Sequence, residues 1–375
     1  MVAPIDRSLA DPAEAGIDTA KLEVLLRRIR LEVENGWLPS AQVAVAREGR
    51  LVAFETWGDA GPETRYILQS VGRSVVAGAV WKLLGEGALR LDEHVADIIP
   101  EFAPNGKEKV TVEQVLTHTA GFPFAPLGYP KMCDREQRLA AFGKWRLDYP
   151  PGSRFQFHLT SAAWLIAEIV ERRTGLPFGD YLRERITAPL GLTSLELGVP
   201  VERQAGTVAP MIATDRTSED QEPDPWGAWY LARPEVLAAG EPSHSLVGTA
   251  ADVALFYQAM EYTDLWRGDA VAEGRRMRFA ERPAGDELYG GGTKRVGMGL
   301  FVTVAGPDAG GNLPSTGSPA LYGNSGSAYQ LAFMDPETGL SFAWLCNGYP
   351  LTGYDLSRRG TSLLTNVANL AADLL

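Results

Sequence analysis

Ser70 is the residue from which chemistry is most readily built. It lies in Tyr66-Ile67-Leu68-Gln69-Ser70-Val71-Gly72-Arg73, where an apolar run gives way to a helical pattern. A serine at a helix start either caps the helix or, with a base beside it, attacks a carbonyl carbon. Arg73 follows one helical turn later, so the spacing predicts a guanidinium next to the hydroxyl. A guanidinium stays protonated near neutral pH and cannot take the serine proton. It can bind a carboxylate or polarise a carbonyl through its planar fork of donors, or serve only in a structural ion pair. A base must come from elsewhere. The chain has four histidines, whose ordinary pKa of about 6.5 suits proton transfer.

The elements that must hold these groups are legible as periodicities. Apolar residues Leu22, Val24, Leu25, Ile29, Leu31 and Val33 predict a helix from about Asp18 to Glu34. Ala41–Ala46 and Leu51–Thr56 read as strands joined by the turn Arg47-Glu48-Gly49-Arg50. Val75, Val76, Val80, Leu83 and Leu84 continue a helix from Ser70 towards Gly85 and Gly87. Thr111-Val112-Glu113-Gln114 has the form of a capping box. Ser161–Thr174 and Thr249–Met260 are helical, and a Pro-rich stretch from Thr214 to Pro225 leads into the aromatics Trp226, Trp229 and Tyr230. Strand patterns return at Gly297–Val304, Tyr329–Met334 and Ser341–Leu345, and a helix closes the chain from Ser357. Strands at both ends with helices between predict one sheet assembled from the two termini.

Composition bounds the function class. The 375 residues carry a formal net charge of −12, with no basic field for nucleic acid or anionic lipid. The partner expected is a small-molecule substrate, with neither nucleic acid nor a membrane involved, and nothing in the chain specifies an oligomeric state. Cys133 and Cys346 form no disulfide framework, and no histidine–carboxylate group shows metal-ligand spacing. No cofactor is implied: Gly290-Gly291-Gly292 lacks the following helix of a phosphate loop. There is no secretory leader pattern and no long apolar run, so a cytoplasmic location is expected.

Several landmarks together resemble the serine β-lactamase and penicillin-binding-protein-like superfamily, in particular its class C-like esterase branch. They are Gly87-Ala88-Leu89-Arg90-Leu91-Asp92, Leu116-Thr117-His118-Thr119-Ala120-Gly121, Pro150-Pro151-Gly152-Ser153-Arg154-Phe155, Ala188-Pro189-Leu190-Gly191-Leu192, Thr249-Ala250-Ala251-Asp252 and Asp335-Pro336-Glu337-Thr338-Gly339. The resemblance spans the chain from about residue 10 to its end. It implies an α+β fold: an antiparallel sheet flanked by terminal helices, plus an all-α domain, with the active site in the cleft between. Residues 1–70 and 290–375 would form the sheet domain and residues 71–289 the mainly helical one.

The resemblance also assigns the site, and each of the family's three motifs is altered. Ser-x-x-Lys is Ser70-Val71-Gly72-Arg73 here. Tyr-x-Asn is Phe157-His158-Leu159, with 157 and 159 expected to face the cleft and 158 to point away. Lys-Thr-Gly or His-x-Gly is Asn324-Ser325-Gly326, followed by Ser327. Ser70, Arg73 and His158 are thus the candidate catalytic residues, with His158 either a substitute base or packed behind the cleft. Phe157, Leu159, His244, Asn324, Ser325, Gly326, Ser327 and Trp229 are the candidate substrate-binding residues. His244 falls where relatives carry glycine-rich sequence and is a second candidate base, whereas His118 reads as structural. The main-chain N–H groups of Ser70 and Ser327 match the family's oxyanion hole.

Three functions follow as expectations. One is a hydrolase or acyltransferase acting on a small, fairly apolar ester, amide or related carbonyl compound through Ser70. A second is a non-hydrolytic enzyme for elimination, isomerisation or cyclisation, using Arg73 and Asn324 as polar groups. The third is an inactive small-molecule-binding protein.

Overall fold

The computed structural model describes residues 3–215, 218, 220–222, 228–284, 295–308, 310–327, 329–351 and 358–375. Trp226 and the Gly290–Gly292 run therefore lie outside the described residues, as does half of the Pro-rich stretch. The centre of the fold is an antiparallel sheet of eight strands among the described residues. Their order is Arg50–Gly58, Ser40–Arg47, Leu340–Cys346, Leu331–Asp335, Tyr322–Ser325, Thr303–Val304, Val296–Met298 and Phe279–Glu281. The first hairpin turns as expected, through Glu48 at φ 48° and Gly49 at φ 82°, the two left-handed residues that match strand twist.

Alternation along the strands divides the core in two. Val43, Val45, Phe333, Phe342 and Trp344 pack on Leu25 and Ile29 of the helix Thr19–Glu34 and on Leu364 and Val367 of the helix Arg358–Ala372. Ala44, Ala46, Ala332 and Ala343 face the opposite way, into the cluster holding Val75, Trp81 and Phe256. Alanines on that face let the helix Ala250–Tyr262 lie close to the sheet. Its Gln258 amide is buried at 0% exposure and donates to Ala46 O at 3.2 Å and Ser341 Oγ at 2.9 Å. Residues 73–83 of the helix Arg73–Gly85 are all buried, so it is walled in on every side and holds its first turn rigidly.

Local signals behave as their chemistry dictates. Asp18 caps the first helix, Thr111 and Gln114 close a reciprocal capping box, and Thr249 caps the helix Ala250–Tyr262. The run Gly297–Val304 is corrected. It is two short strands, Val296–Met298 and Thr303–Val304, joined through Gly299 N donating to Val302 O at 3.0 Å. Phe301 sits at the turn with φ 65°, its N–H on Leu116 O at 2.8 Å. Tertiary anchoring to the helical body overrides the apolar pattern there.

Candidate active site

Ser70 lies in a single 3₁₀ turn, Gln69–Gly72, which runs directly into the helix Arg73–Gly85. It does not cap that helix. Gln69, immediately before it, has φ 51° and is fully buried, a strained backbone for a non-glycine residue and a common companion of functional turns. The half-buried Ser70 hydroxyl lies 3.4 Å from His244 Nε2.

Strand register explains this meeting of residues far apart in sequence. Tyr66 pairs with Gly248 and Ile67 with Val247, antiparallel. Leu68 N then donates to Leu246 O at 2.8 Å. The pairing ends there, and just beyond it Ser70, in its 3₁₀ turn, and His244, in the turn 242–244, come within 3.4 Å. Gly72 completes the approach, because a Cβ there would meet Leu246 Cβ at 3.0 Å.

Behind the imidazole is a compact polar turn. His244 Nδ1 is 2.6 Å from Ser243 Oγ and 3.3 Å from Glu241 Oε2. Ser243 Oγ donates to Glu241 Oε1 at 2.5 Å and its N–H donates to the same oxygen at 3.1 Å. Ser245 N on Glu241 O at 2.9 Å closes the turn. Glu241, Ser243 and His244 are all buried, at 0%, 0% and 1% exposure. Burial, chiefly, lowers the His244 pKa from its ordinary value. Glu241 opposes that shift and the Arg73 cation adds to it. A neutral imidazole facing a serine hydroxyl can accept its proton, and a carboxylate behind the ring can hold the tautomer that does so.

His158 is not part of this arrangement. It is fully buried, its Nε2 accepts from Phe122 N at 3.0 Å, and its Nδ1–H donates to Gln156 O at 2.7 Å. Both ring nitrogens serve the backbone, and burial pushes its pKa down to about 4. Of the two expectations for His158, substitute base or packed histidine, these contacts match the packed one and leave no ring nitrogen for a serine proton. His118 is packed beside it, accepting from His158 N at 3.1 Å.

Arg73 is 5% exposed, donates from Nη2 to Leu159 O at 3.0 Å and lies over the Phe301 ring. Phe157 is half-buried against His118 and Phe155, and Leu159 is half-buried.

The strand Tyr322–Ser325 brings the third motif up beside Ser70. Gly326 is needed there, since a Cβ would stand 3.3 Å from both Leu68 O and Gln69 Cβ. Asn324 and Ser325 do not turn to the cleft together. Asn324 shares a face with Ala332, and its amide donates to Ser74 Oγ at 2.9 Å, where Tyr257 OH also donates at 2.7 Å. Ser325 Oγ faces the other way, accepting from Asn312 Nδ2 at 3.2 Å. Ser327 follows next in the chain, its hydroxyl buried. Trp229 leans on Tyr349 and donates to Pro350 O at 2.8 Å.

Glu241 and Ser243 were not singled out by sequence reasoning. Their signal was present as Glu-x-Ser-His within one turn, a spacing that puts a carboxylate and a hydroxyl behind one imidazole.

The comparisons with known proteins agree with this architecture. A beta-lactamase family model matches residues 25–366. The chain is 26% identical over 390 aligned residues to a candidate D-alanyl-D-alanine carboxypeptidase of Escherichia coli (strain K12), covering 90% of this chain and 85% of that one. It superposes on a penicillin-binding protein homologue from Caulobacter crescentus with a TM-score of 0.76 at 25% identity, covering 95% of this chain and 98% of the other. A family VIII carboxylesterase shares the fold, with a TM-score of 0.77 at 20% identity and coverage of 96% and 98%. The sheet closed from both termini, the buried helix carrying the serine turn and the match over residues 25–366 converge: the chain belongs to the beta-lactamase family.

Proposed function

We propose that the protein hydrolyses small, weakly polar esters or amides through an acyl-Ser70 intermediate, with His244 as the proton acceptor. The observation that carries this reading is the 3.4 Å approach of Ser70 Oγ to His244 Nε2, a contact of the kind that tightens when substrate fills the site. Ser70 Oγ bonds to the substrate carbonyl carbon while its proton passes to Nε2 and the carbonyl electrons move onto oxygen. The main-chain N–H groups of Ser70 and Ser327 supply the donors for that oxyanion, each worth about 10²–10³ in rate. Collapse breaks the bond to the leaving alkoxide or amine, which takes the proton from Nε2. Water repeats the sequence and frees the acid; an alcohol in its place completes an acyl transfer.

The surroundings favour an uncharged acyl group. Arg73 donates to Leu159 O and Asn324 to Ser74 Oγ, and Phe157 and Leu159 are the apolar groups expected along the cleft. The same engagement weighs against elimination, isomerisation or cyclisation, which needs those two polar groups on the substrate. Similar proteins include the family VIII carboxylesterase and a D-amino acid amidase from Ochrobactrum anthropi SV3.

The test is turnover of p-nitrophenyl butyrate with intact-mass detection of the enzyme quenched in acid. A butyryl adduct on Ser70 and loss of turnover in Ser70→Ala support the reading. Full activity of Ser70→Ala on this ester removes it.

A further inference from the structure

We propose that Ser243 is a positioning residue of the base: its hydroxyl stands between the Glu241 carboxylate and the His244 imidazole and fixes which ring nitrogen carries the proton. This rests on the reading of Ser70 and His244 as nucleophile and base. A serine hydroxyl has one proton to give. At 2.5 Å from Glu241 Oε1 and 2.6 Å from His244 Nδ1, it gives that proton to the stronger acceptor, the carboxylate. It is then left only as an acceptor towards the ring, so Nδ1 must carry the hydrogen and Nε2 presents its lone pair to Ser70. The direct contact from Nδ1 to Glu241 Oε2 is longer, at 3.3 Å, and comes second until the ring is charged.

The relay sits within four consecutive residues, 241–244, sealed by two backbone contacts: Ser243 N on Glu241 Oε1 and Ser245 N on Glu241 O. Among the described residues, the charges facing the ring are Glu241 from its own turn and Arg73 from the serine helix. A hydroxyl between ring and carboxylate softens the pull of Glu241, so the base stays neutral to lower pH while keeping its orientation.

The experiment compares Ser243→Ala, Ser243→Thr and Glu241→Gln. The readouts are pH–rate profiles on p-nitrophenyl butyrate, thermal melting and ¹⁵N-imidazole NMR of His244 in the full chain. Ser243→Ala should lower kcat at least about 10-fold and move the acid limb of kcat/KM upward, because the carboxylate then meets the ring directly. Ser243→Thr should restore both. Glu241→Gln keeps its carbonyl oxygen on the Ser243 N–H and turns its amide N–H2 towards Nδ1, so NMR should report the Nε2–H tautomer and kcat should fall by about 10³–10⁴, the scale of a wrong-tautomer defect. A folded Ser243→Ala with wild-type kcat and an unmoved acid limb overturns the proposal. So does wild-type NMR showing Nε2 protonated and Nδ1 bare. The NMR readout requires no turnover, so it judges the relay even if Ser70→Ala shows that the hydrolase reading has failed.

Discussion

Ser70 and His244 stand opposite one another because Ile67 and Val247 are register partners three residues away on each side. A two-residue ladder, rather than a long strand or a shared helix, brings the hydroxyl within 3.4 Å of Nε2. Such a pairing is sensitive to slip. A one-residue shift would carry the turn that holds His244 out of reach of the Ser70 hydroxyl. The Leu68–Leu246 bond and the tight fit of Gly72 on Leu246 hold it in place.

Two of the three buried histidines, His244 and His158, predict opposite phenotypes. His244→Gln should keep its melting temperature within a few degrees and lose kcat by about 10²–10⁴, the worth of a general base. His158→Gln should retain most of its kcat per folded molecule but lose about 1–3 kcal/mol of stability, because the Phe122 N–H and Gln156 C=O lose their ring partners. Steady-state kinetics paired with thermal melts separate the two.

Arg73 predicts a shift in the pH profile. Its cation lowers the His244 pKa, so removing it in Arg73→Met should raise that pKa and move the acid limb of kcat/KM to higher pH. Arg73→Lys keeps the charge and should leave the limb nearer its wild-type position. A lysine at this position that raised kcat above wild type would show that the family's usual base can be rebuilt here.

Asn324 should behave as a tie between sheet and helix. Asn324→Ala leaves Ser74 Oγ with Tyr257 alone and should cost about 1–3 kcal/mol in a denaturant melt. KM for an uncharged ester should change less than two-fold.

Acid should unfold the protein through its histidines. Burial lowers the pKa of His118, His158 and His244 in the folded state. The unfolded chain therefore binds more protons, and stability present above about pH 6.5 is lost as pH falls below that value. For His158, the drop from 6.5 to about 4 corresponds to about 3 kcal/mol at most. Denaturant midpoints measured between pH 8 and pH 4 should fall through that window, and His158→Gln should flatten part of the slope.

The sequence showed the scaffold far better than it showed the base. Caps at Asp18, Thr111 and Thr249 and the Glu48-Gly49 turn are local, so spacing alone displays them. The landmarks between Gly87 and Gly339 revealed the family for the same reason, each being a short local run. His158 stayed open between base and packed residue because its environment is assembled from Phe122 and Gln156 across the helical body, which no local spacing reports. Asn324 misled through period-2 geometry: its face of the strand is set by pairing with Ala332. His244 was visible as a second candidate base, while the meeting with Ser70 depended on a ladder between residues about 180 apart in sequence. Glu241 and Ser243 lay in plain view beside it, but their meaning appeared only once the imidazole had a serine to serve.

The central claim is that His244 activates Ser70, and the rate of Ser70 phosphonylation tests it most directly. An alkyl fluorophosphonate incubated with the wild type should add one adduct, mapped to Ser70 by peptide mass spectrometry. His244→Gln should form that adduct at least about 100-fold more slowly with its fold intact. Equal labelling rates in the two proteins, or an adduct on another residue, would contradict the account.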